Sequence, residues 1–497
     1  MDRESIILLT FAVYLIVLLG IGIFFWRRTH DLSDYILGGR KLGSLVAALS
    51  AGASDMSGWL LLGLPGYAYL AGLEAIWIGL GLLVGIWCNW KLVAARLRRY
   101  TELAGNSLTL PDFFEQRFQD NSRLLRIISA FLILFFFLIY TSSGLVAGGK
   151  LFASAFELPY QWAVVTGALA IVMYTFLGGF LAVSLTDVIQ ALLMVFALAI
   201  VPVIALQQSG GLDNTLTELT RTHPSFLNPF TSATGEALSA TAVVSLLAWG
   251  LGYFGQPHIL ARFMAIKHVS KVVRARRIAI IWSTISMIGA ILAGISGKVY
   301  FVEILADSEK VFILLVESLF HPVIAGICLA AILSAIMSTA DSQLLVAASA
   351  LTEDFYKALL RKDASQRELV WLGRLTVVFV AVVACAMAMD PGNKVLDLVA
   401  YAWAGFGASF GPLILFSLFW RRTNRTGALA GILSGGLMVI IWKQLSGGIF
   451  DVYEIVPGFL ISSLSIILFS LLGLKPSEEQ VSLFDKATQK DQEALMS

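Results

Sequence analysis

Charge is what this chain has least of. Asp, Glu, Lys and Arg make up 14% of its 497 residues, little more than half the ~25% of an ordinary soluble domain. Cysteine is scarce as well. Its three residues, Cys88, Cys328 and Cys385, sit far apart inside apolar stretches, without metal-ligand spacing. A disulfide scaffold and a zinc cluster are thereby excluded, and the thiols read as small buried hydrophobes. The formal net charge is only +2, which gives no reason to expect a nucleic-acid partner. What the chain does have is apolar side chains, 58% of the total, with a mean hydropathy of +0.82. A soluble domain cannot cover that much apolar surface. The expected class is an all-α polytopic membrane protein.

Apolar runs of about 18 or more residues, bounded by charges or turn residues, each suffice to span a bilayer. They fall near 5–26, 43–70, 72–93, 124–149, 160–180, 185–207, 237–265, 276–302, 322–350, 370–389, 395–420, 426–445 and 457–474. About thirteen transmembrane helices are therefore expected, in one domain over 1–474. The first run ends in Arg27-Arg28 rather than a small-residue cleavage site, so it reads as a helix and not as a signal peptide. The boundary between the fifth and sixth runs, at Gly178-Gly179, carries no charge. Basic residues test the count. Of 35, 28 fall in or beside the odd-numbered connections and the tail, and seven on the opposite side. That bias places the N-terminus outside and the C-terminus in the cytoplasm, and merging the fifth and sixth runs would erase it. The tail, 475–497, reads as disordered or weakly helical, and no stretch is long enough for a separate kinase, regulatory or catalytic domain.

Two runs break the rule that backbone at membrane depth stays helical. The second carries Ala53-Ser54-Asp55-Met56-Ser57-Gly58-Trp59, and the seventh carries Trp249-Gly250-Leu251-Gly252-Tyr253-Phe254-Gly255-Gln256-Pro257. A repeat of five helices sets these two runs in opposite orientations, the pattern of a transporter whose site lies between inverted halves. Free N–H groups at a broken helix attract a carboxylate, and freed carbonyls hold a hard cation. Gly58 leaves helical geometry cheaply and Pro257 removes a donor. Asp55, an ionisable group at depth, is functional by default. The ninth run adds Ser334, Ser338, Thr339, Asp341 and Ser342. These hydroxyls either ligate a hard, weakly polarising cation through oxygen or bond back to helix carbonyls, and spacing alone leaves both readings open. The Phe131 to Phe137 stretch reads as core or interfacial belt.

Four motifs carry a resemblance. Asp34-Tyr35-Ile36-Leu37-Gly38-Gly39-Arg40, Gly178-Gly179 through Thr186-Asp187 to Gln190, Gly255-Gln256-Pro257-His258 and Ser338-Thr339-Ala340-Asp341-Ser342-Gln343 resemble the sodium/solute symporter family over residues 1 to about 474. The resemblance implies a LeuT-type core of five plus five helices, with inverted repeats at about 43–207 and 237–420. One extra helix precedes this core and two follow it. It implies a sodium ion as coupling ion, held by the carbonyls of Ala53, Met56 and Ala335 and the hydroxyls of Ser338 and Thr339. Asp55 is implied beside that ion, balancing its charge or ordering the unwound segment. Asp187, with Ser338 and Ser342, matches a second cation position of some relatives, although coupling to one ion is expected. Asp341 is left without a role.

For the solute, overall likeness, notably over Trp249 to Phe263 and Tyr401 to Trp420, points to L-proline. The implied contacts are Ser57, Gly58, Trp59, Tyr140, Trp249, Tyr253, Gln256 and Pro257. A proline zwitterion needs a carboxylate cradle, an acceptor for its ammonium and an apolar box, which Trp and Tyr faces supply. The expected function is sodium-coupled proline symport by alternating access in the bacterial inner membrane. Symport of another amino acid, pantothenate or a carboxylate, or coupling to protons, is the alternative. A sensor or an ion channel on the same scaffold is the rival from another class. An enzyme is not expected, because no nucleophile–base pair appears at depth.

Overall fold

A backbone in hydrocarbon has to pair every N–H and C=O internally, so the apolar runs fold as helices. The computed structural model describes residues 3–26, 32–177, 179–222, 224–232 and 234–496. Arg27, Arg28 and Gly178, which enter the loop-charge and boundary readings, lie outside these. Among the described residues the chain is helical, with two isolated bridges. Among the described residues, ten helical segments are long and apolar enough to cross a membrane.

The first half of the chain contains α1 (Arg3–Trp26), α2 (Ser44–Asp55), α3 (Leu64–Ala71), α4 (Ile76–Cys88), α5 (Leu110–Phe118), α6 (Leu124–Ala155), α7 (Tyr160–Leu177) and α8 (Phe180–Gln208). The second half contains α9 (Ala240–Leu247), α10 (Pro257–Met264), α11 (Val272–Tyr300), α12 (Pro322–Ser349), α13 (Gln366–Met387), α14 (Val395–Phe419), α15 (Arg425–Trp442) and α16 (Ile455–Leu472). Between α3 and α4 the chain reverses at Gly72, where φ is +66° and a Cβ would lie 2.2 Å from the Phe226 carbonyl oxygen. Only glycine fits both constraints.

Both expected interruptions are present. α2 stops at Asp55, Met56 leaves helical geometry, and the chain resumes through a wide π turn, Trp59–Gly63, into α3. The seventh run divides into α9, a tight 3₁₀ stretch over Ala248–Gly255, an extended Gln256, and α10 with Pro257 in its first turn. Proline is tolerated there because its missing N–H would have no helical partner. α12 and α14 lie at the centre, with 83% of their most apolar stretch buried against 28% for α1 and α16. The site therefore falls between the break in α2, which packs on α12, and the Ala248–Gly255 stretch, which packs on α14.

Three segments run past their expected ends. The third run continues to Leu103, where Arg98 donates from Nε to the Ile266 carbonyl at 2.5 Å and pairs with Glu102 at 2.7 Å. α12 goes on as π-helix over Ala350–Leu360. The tail, expected to be disordered or weakly helical, forms a helix, α17 (Glu478–Met496). Its Phe484 and Ala487 are buried, and Phe484 packs edge-on at 6.3 Å to Tyr100. Apolar burial against the helix that carries Tyr100 accounts for order that the tail's polar composition does not indicate.

Candidate ion and solute site

Unwinding after Asp55 redirects the backbone. The Ser57 N–H donates to the Asp55 carbonyl at 3.0 Å instead of reaching back four residues to Ala53. The Ala53 carbonyl oxygen faces α12 and accepts from Ser338 Oγ at 2.7 Å and from Thr339 Oγ1 at 3.2 Å. Ala53, Met56, Ala335 and Ser338 are fully buried, and Thr339 is 2% exposed. The two readings of the α12 hydroxyls thus separate by residue. Ser334 and Ser342 bond back to Ala330 and Ser338, each at 2.8 Å. Ser338 does so only secondarily, to Ala335 at 3.2 Å, and together with Thr339 it reaches across to the broken helix. Two hydroxyls converging on one freed carbonyl form a cluster of hard oxygens with no nitrogen or sulfur, suited to an alkali cation.

Asp55 points the other way. Its Oδ2 accepts from the Tyr253 hydroxyl at 2.5 Å, and its backbone oxygen accepts from Trp59 Nε1 at 3.1 Å and from the Tyr140 hydroxyl at 3.2 Å. Oδ1 is buried without a donor. One residue thereby ties the unwound segment to α6 and to the Ala248–Gly255 stretch. The expected aromatics gather around it: the Trp59 and Trp249 rings lie 6.5 Å apart. Ser57 Oγ accepts from the Trp59 N–H at 3.4 Å. At Gly58 a Cβ would come within 2.5 Å of the Ala147 methyl, so the helix break packs directly on α6. Gln256 is buried, and its amide donates to the Gly252 and Trp403 carbonyls at 3.1 and 3.3 Å. Pro257 is not grouped with the aromatics near Asp55; it lines a separate cavity toward Asp354.

Several participants carry no sequence signal of their own. Trp403 stands edge-on at 4.9 Å to Tyr253 and donates to the Trp249 carbonyl at 2.7 Å, fixing both aromatics. Asn89 donates to the Tyr253 carbonyl at 2.8 Å, and Tyr453 stacks on Trp249 at 5.4 Å. The cavity bordering Asp55 and Tyr253 holds only about 10 Å³, so the site is closed tightly around its own side chains.

Asp187 and Ser342 are brought together, and between them lies Arg262. Its guanidinium sits 3.3 Å from Asp187 Oδ2 and donates to Ser342 Oγ at 2.5 Å and to Ser50 Oγ at 3.1 Å. Ser50 in turn donates to Asp187 at 2.6 Å, and Asp187 and Arg262 are both fully buried. The cationic partner of Asp187 is therefore the chain's own. Arg262, grouped by sequence with the loop basic residues, belongs to the interior. Asp341 is buried and accepts from the Thr175 hydroxyl.

The family motif at 34–40 also gains a physical account. Arg40, with φ of +55°, donates to the Met264 carbonyl at 2.7 Å, Thr101 Oγ1 at 3.1 Å and the Ser107 carbonyl at 2.8 Å. Leu42 bonds to Ala265 and Lys267 through the backbone at 3.1 and 3.0 Å. The entry to α2 is thereby tied to the exit of α10.

Comparison with known proteins identifies the family. Residues 35–435 match the sodium:solute symporter family. The sodium/proline symporters of Salmonella typhimurium and Escherichia coli (strain K12) are each 53% identical over 487 residues, covering 97% of this chain and 96% of theirs. The high-affinity proline transporter PutP of Bacillus subtilis is 50% identical, covering 94% of this chain and 98% of its own. Among solved structures, a sodium-coupled sialic acid symporter in a substrate-bound outward-open state superposes with a TM-score of 0.80 at 18% identity. That match covers 96% of this chain and 100% of the symporter. MhsT in complex with L-phenylalanine gives 0.53 at 14% identity, over 86% of this chain and 97% of its own, a likeness of fold. The chain belongs to the sodium:solute symporter family.

Proposed function

We propose that the protein imports L-proline together with sodium by alternating access. It is a transporter and not an enzyme, a multi-pass protein of the bacterial inner membrane. The observation that carries the reading is the Ala53 carbonyl freed by the break at Asp55 and met by Ser338 and Thr339 at 2.7 and 3.2 Å. In this reading sodium binds among the carbonyls of Ala53, Met56 and Ala335 and the two hydroxyls, and locks α2 to α12. Locking α2 fixes Asp55, and through it Tyr253, Tyr140 and Trp59, which completes the proline pocket with Ser57, Gly58, Trp249 and Gln256. Trp and Tyr faces take the ring and the ammonium. Each ligand then raises the other's affinity, a reciprocal coupling of ~1–3 kcal/mol. One ion is coupled, because Arg262 already places a positive charge against Asp187 and Ser342.

Thirteen spans fit this function. Dividing the 45-residue apolar segment Trp59–Leu103 at Gly72 and adding the two shorter apolar helices, Tyr160–Met173 and Ala240–Gly255, brings the ten to thirteen. A five-plus-five inverted core over about 43–207 and 237–420 then pairs the broken α2 with the broken α9–α10. The basic residues set the N-terminus outside and the C-terminus in the cytoplasm. The driving force is sufficient: one net charge is worth ~2.3 kcal/mol per 100 mV, or roughly 40-fold accumulation. The test is labelled-proline uptake into proteoliposomes with sodium varied outside. Uptake that ignores sodium overturns the reading.

A further inference from the structure

A second group of oxygens lies further along α12, toward the side that the basic residues mark as cytoplasmic. Arg126, at the start of α6, meets four carboxylates: Asp354 at 2.8 Å, Glu115 at 3.3 Å, Asp112 at 3.4 Å and Glu353 at 3.5 Å. Lys357 pairs with Glu353 at 2.9 Å, so four acids share two cations. Asp354 is the deepest of them, with no exposed surface. Its Oδ1 accepts from Arg126 and, at 2.9 Å, from Thr109 Oγ1. Its Oδ2 is buried with no donor. A buried carboxylate oxygen with no partner is costly and calls for a counter-charge or a donor.

The surroundings supply room and ligands. Asp354, Thr109 and Ser349 line a cavity of about 20 Å³ whose remaining wall is apolar, Ile133, Pro257 and Met264 among it. That volume admits one small ion or one water. The ligand oxygens are a carboxylate and two hydroxyls, all hard; the Ser349 hydroxyl also donates back to the Leu345 carbonyl at 2.7 Å. A magnesium ion, which keeps several waters in an octahedral shell, does not fit so small a space. The cavity lies on the same helix as the Ser338–Thr339 pair, about 24 Å along its axis from Ser338. Ser342, whose hydroxyl accepts from Arg262 at 2.5 Å, stands between, and the wall opposite is α10, the half-helix that starts at Pro257. The winding also widens to π geometry at Ala350, a feature that recurs at functional sites.

We propose that Asp354, Thr109 and Ser349 form a release-side site for a monovalent cation, where sodium pauses between its site at Ala53–Ser338–Thr339 and the cytoplasm. The Arg126 cluster closes the passage beyond it. The excess of acid draws the ion down from the upper site, and the single free oxygen holds it weakly enough to let it go. The proposal rests on the sodium-coupled reading and on the orientation given above.

The test uses the full chain reconstituted in one orientation, with sodium chloride as probe on either side. External sodium dependence of proline uptake reports the upper site. Inhibition of uptake by sodium loaded inside reports the release-side site. Asp354→Asn is expected to leave the external half-saturation unchanged and to raise the internal sodium giving half-inhibition about tenfold. Thr109→Val and Ser349→Ala are expected to raise it by smaller factors, and they carry the test if Asp354→Asn does not fold. Unchanged internal inhibition in a variant that still takes up proline overturns the proposal. So does an effect that follows internal pH at fixed sodium, which assigns Asp354 to a proton. A shift confined to external sodium overturns the orientation and with it the release step. If the sodium-coupled reading itself fails, uptake of the unmodified chain loses its sodium dependence, and that outcome is separate from all of these.

Discussion

Replacing Ser338 or Thr339 by alanine removes one hydroxyl from the oxygens gathered at the Ala53 carbonyl and changes little else, since neither side chain bridges to a charged group. A hydroxyl that ligates a cation acts as a polar contact to a charge, worth ~1.5–3 kcal/mol. At ~1.4 kcal/mol per tenfold, each substitution should raise the half-saturating sodium concentration roughly 10- to 150-fold. Ser338→Ala should lie at the upper end, because its oxygen approaches Ala53 at 2.7 Å against 3.2 Å for Thr339. The two share one partner, so the double variant should fall short of the summed effects. Linkage adds a second signature. When sodium is saturating the locked α2–α12 arrangement is restored, and the proline half-saturation should return close to that of the parent. The assay is labelled-proline uptake into proteoliposomes at a fixed imposed potential, scanned over sodium at several proline concentrations. Equal sodium dependence in variants and parent refutes the ion-site assignment. Loss of proline affinity that persists at saturating sodium refutes the division of labour between ion and solute residues.

Asp55→Ala should nearly abolish uptake, and Tyr253→Phe should lower it at least about tenfold by leaving the carboxylate with no donor; Tyr140→Phe should cost less, because Trp59 Nε1 still serves the Asp55 carbonyl. Near-parental uptake by Tyr253→Phe removes that bond from the account. Arg262→Met should destabilise the protein by ~3–5 kcal/mol, since it strands a buried carboxylate. Adding Asp187→Asn should recover part of that loss in thermal unfolding in detergent, and no recovery refutes the pairing. Asp120, in the turn before α6, is raised by burial, but Ser122, the Leu125 N–H and Arg425 together hold its carboxyl below the usual range. A depressed acid stabilises above its unfolded value and loses that contribution as pH falls through the folded one. The stability gap between the parent and Asp120→Asn should therefore be full near pH 6 and shrink below about pH 4; a pH-independent gap contradicts it.

How much was legible beforehand follows from how far each feature depends on distant partners. The breaks in the second and seventh runs could be read from Gly58, Gly255 and Pro257, because glycine and proline act on their own backbone. The pairing of Ser338 with Thr339 was visible as adjacent hydroxyls at membrane depth. Which of the α12 hydroxyls turn inward was not, because that depends on Ala53, 285 positions away. Arg262 looked like a loop cation until Asp187, 75 positions earlier, proved to face it. Trp403 and Asn89 are an ordinary tryptophan and asparagine in sequence, and their roles come from the carbonyls they meet. Between a disordered and a helical tail the sequence left the choice open for the same reason, since the order comes from Phe484 and Ala487 buried against the body of the protein.

Coupling to sodium is the claim on which the rest depends, and one experiment addresses it directly. Proline accumulation is measured in proteoliposomes under an imposed sodium gradient without a proton gradient, and then under a proton gradient in sodium-free medium. Sodium coupling predicts accumulation in the first condition and none in the second; a 100 mV potential imposed with equal sodium on both sides should by itself support roughly 40-fold. Accumulation that follows the proton gradient without sodium contradicts it.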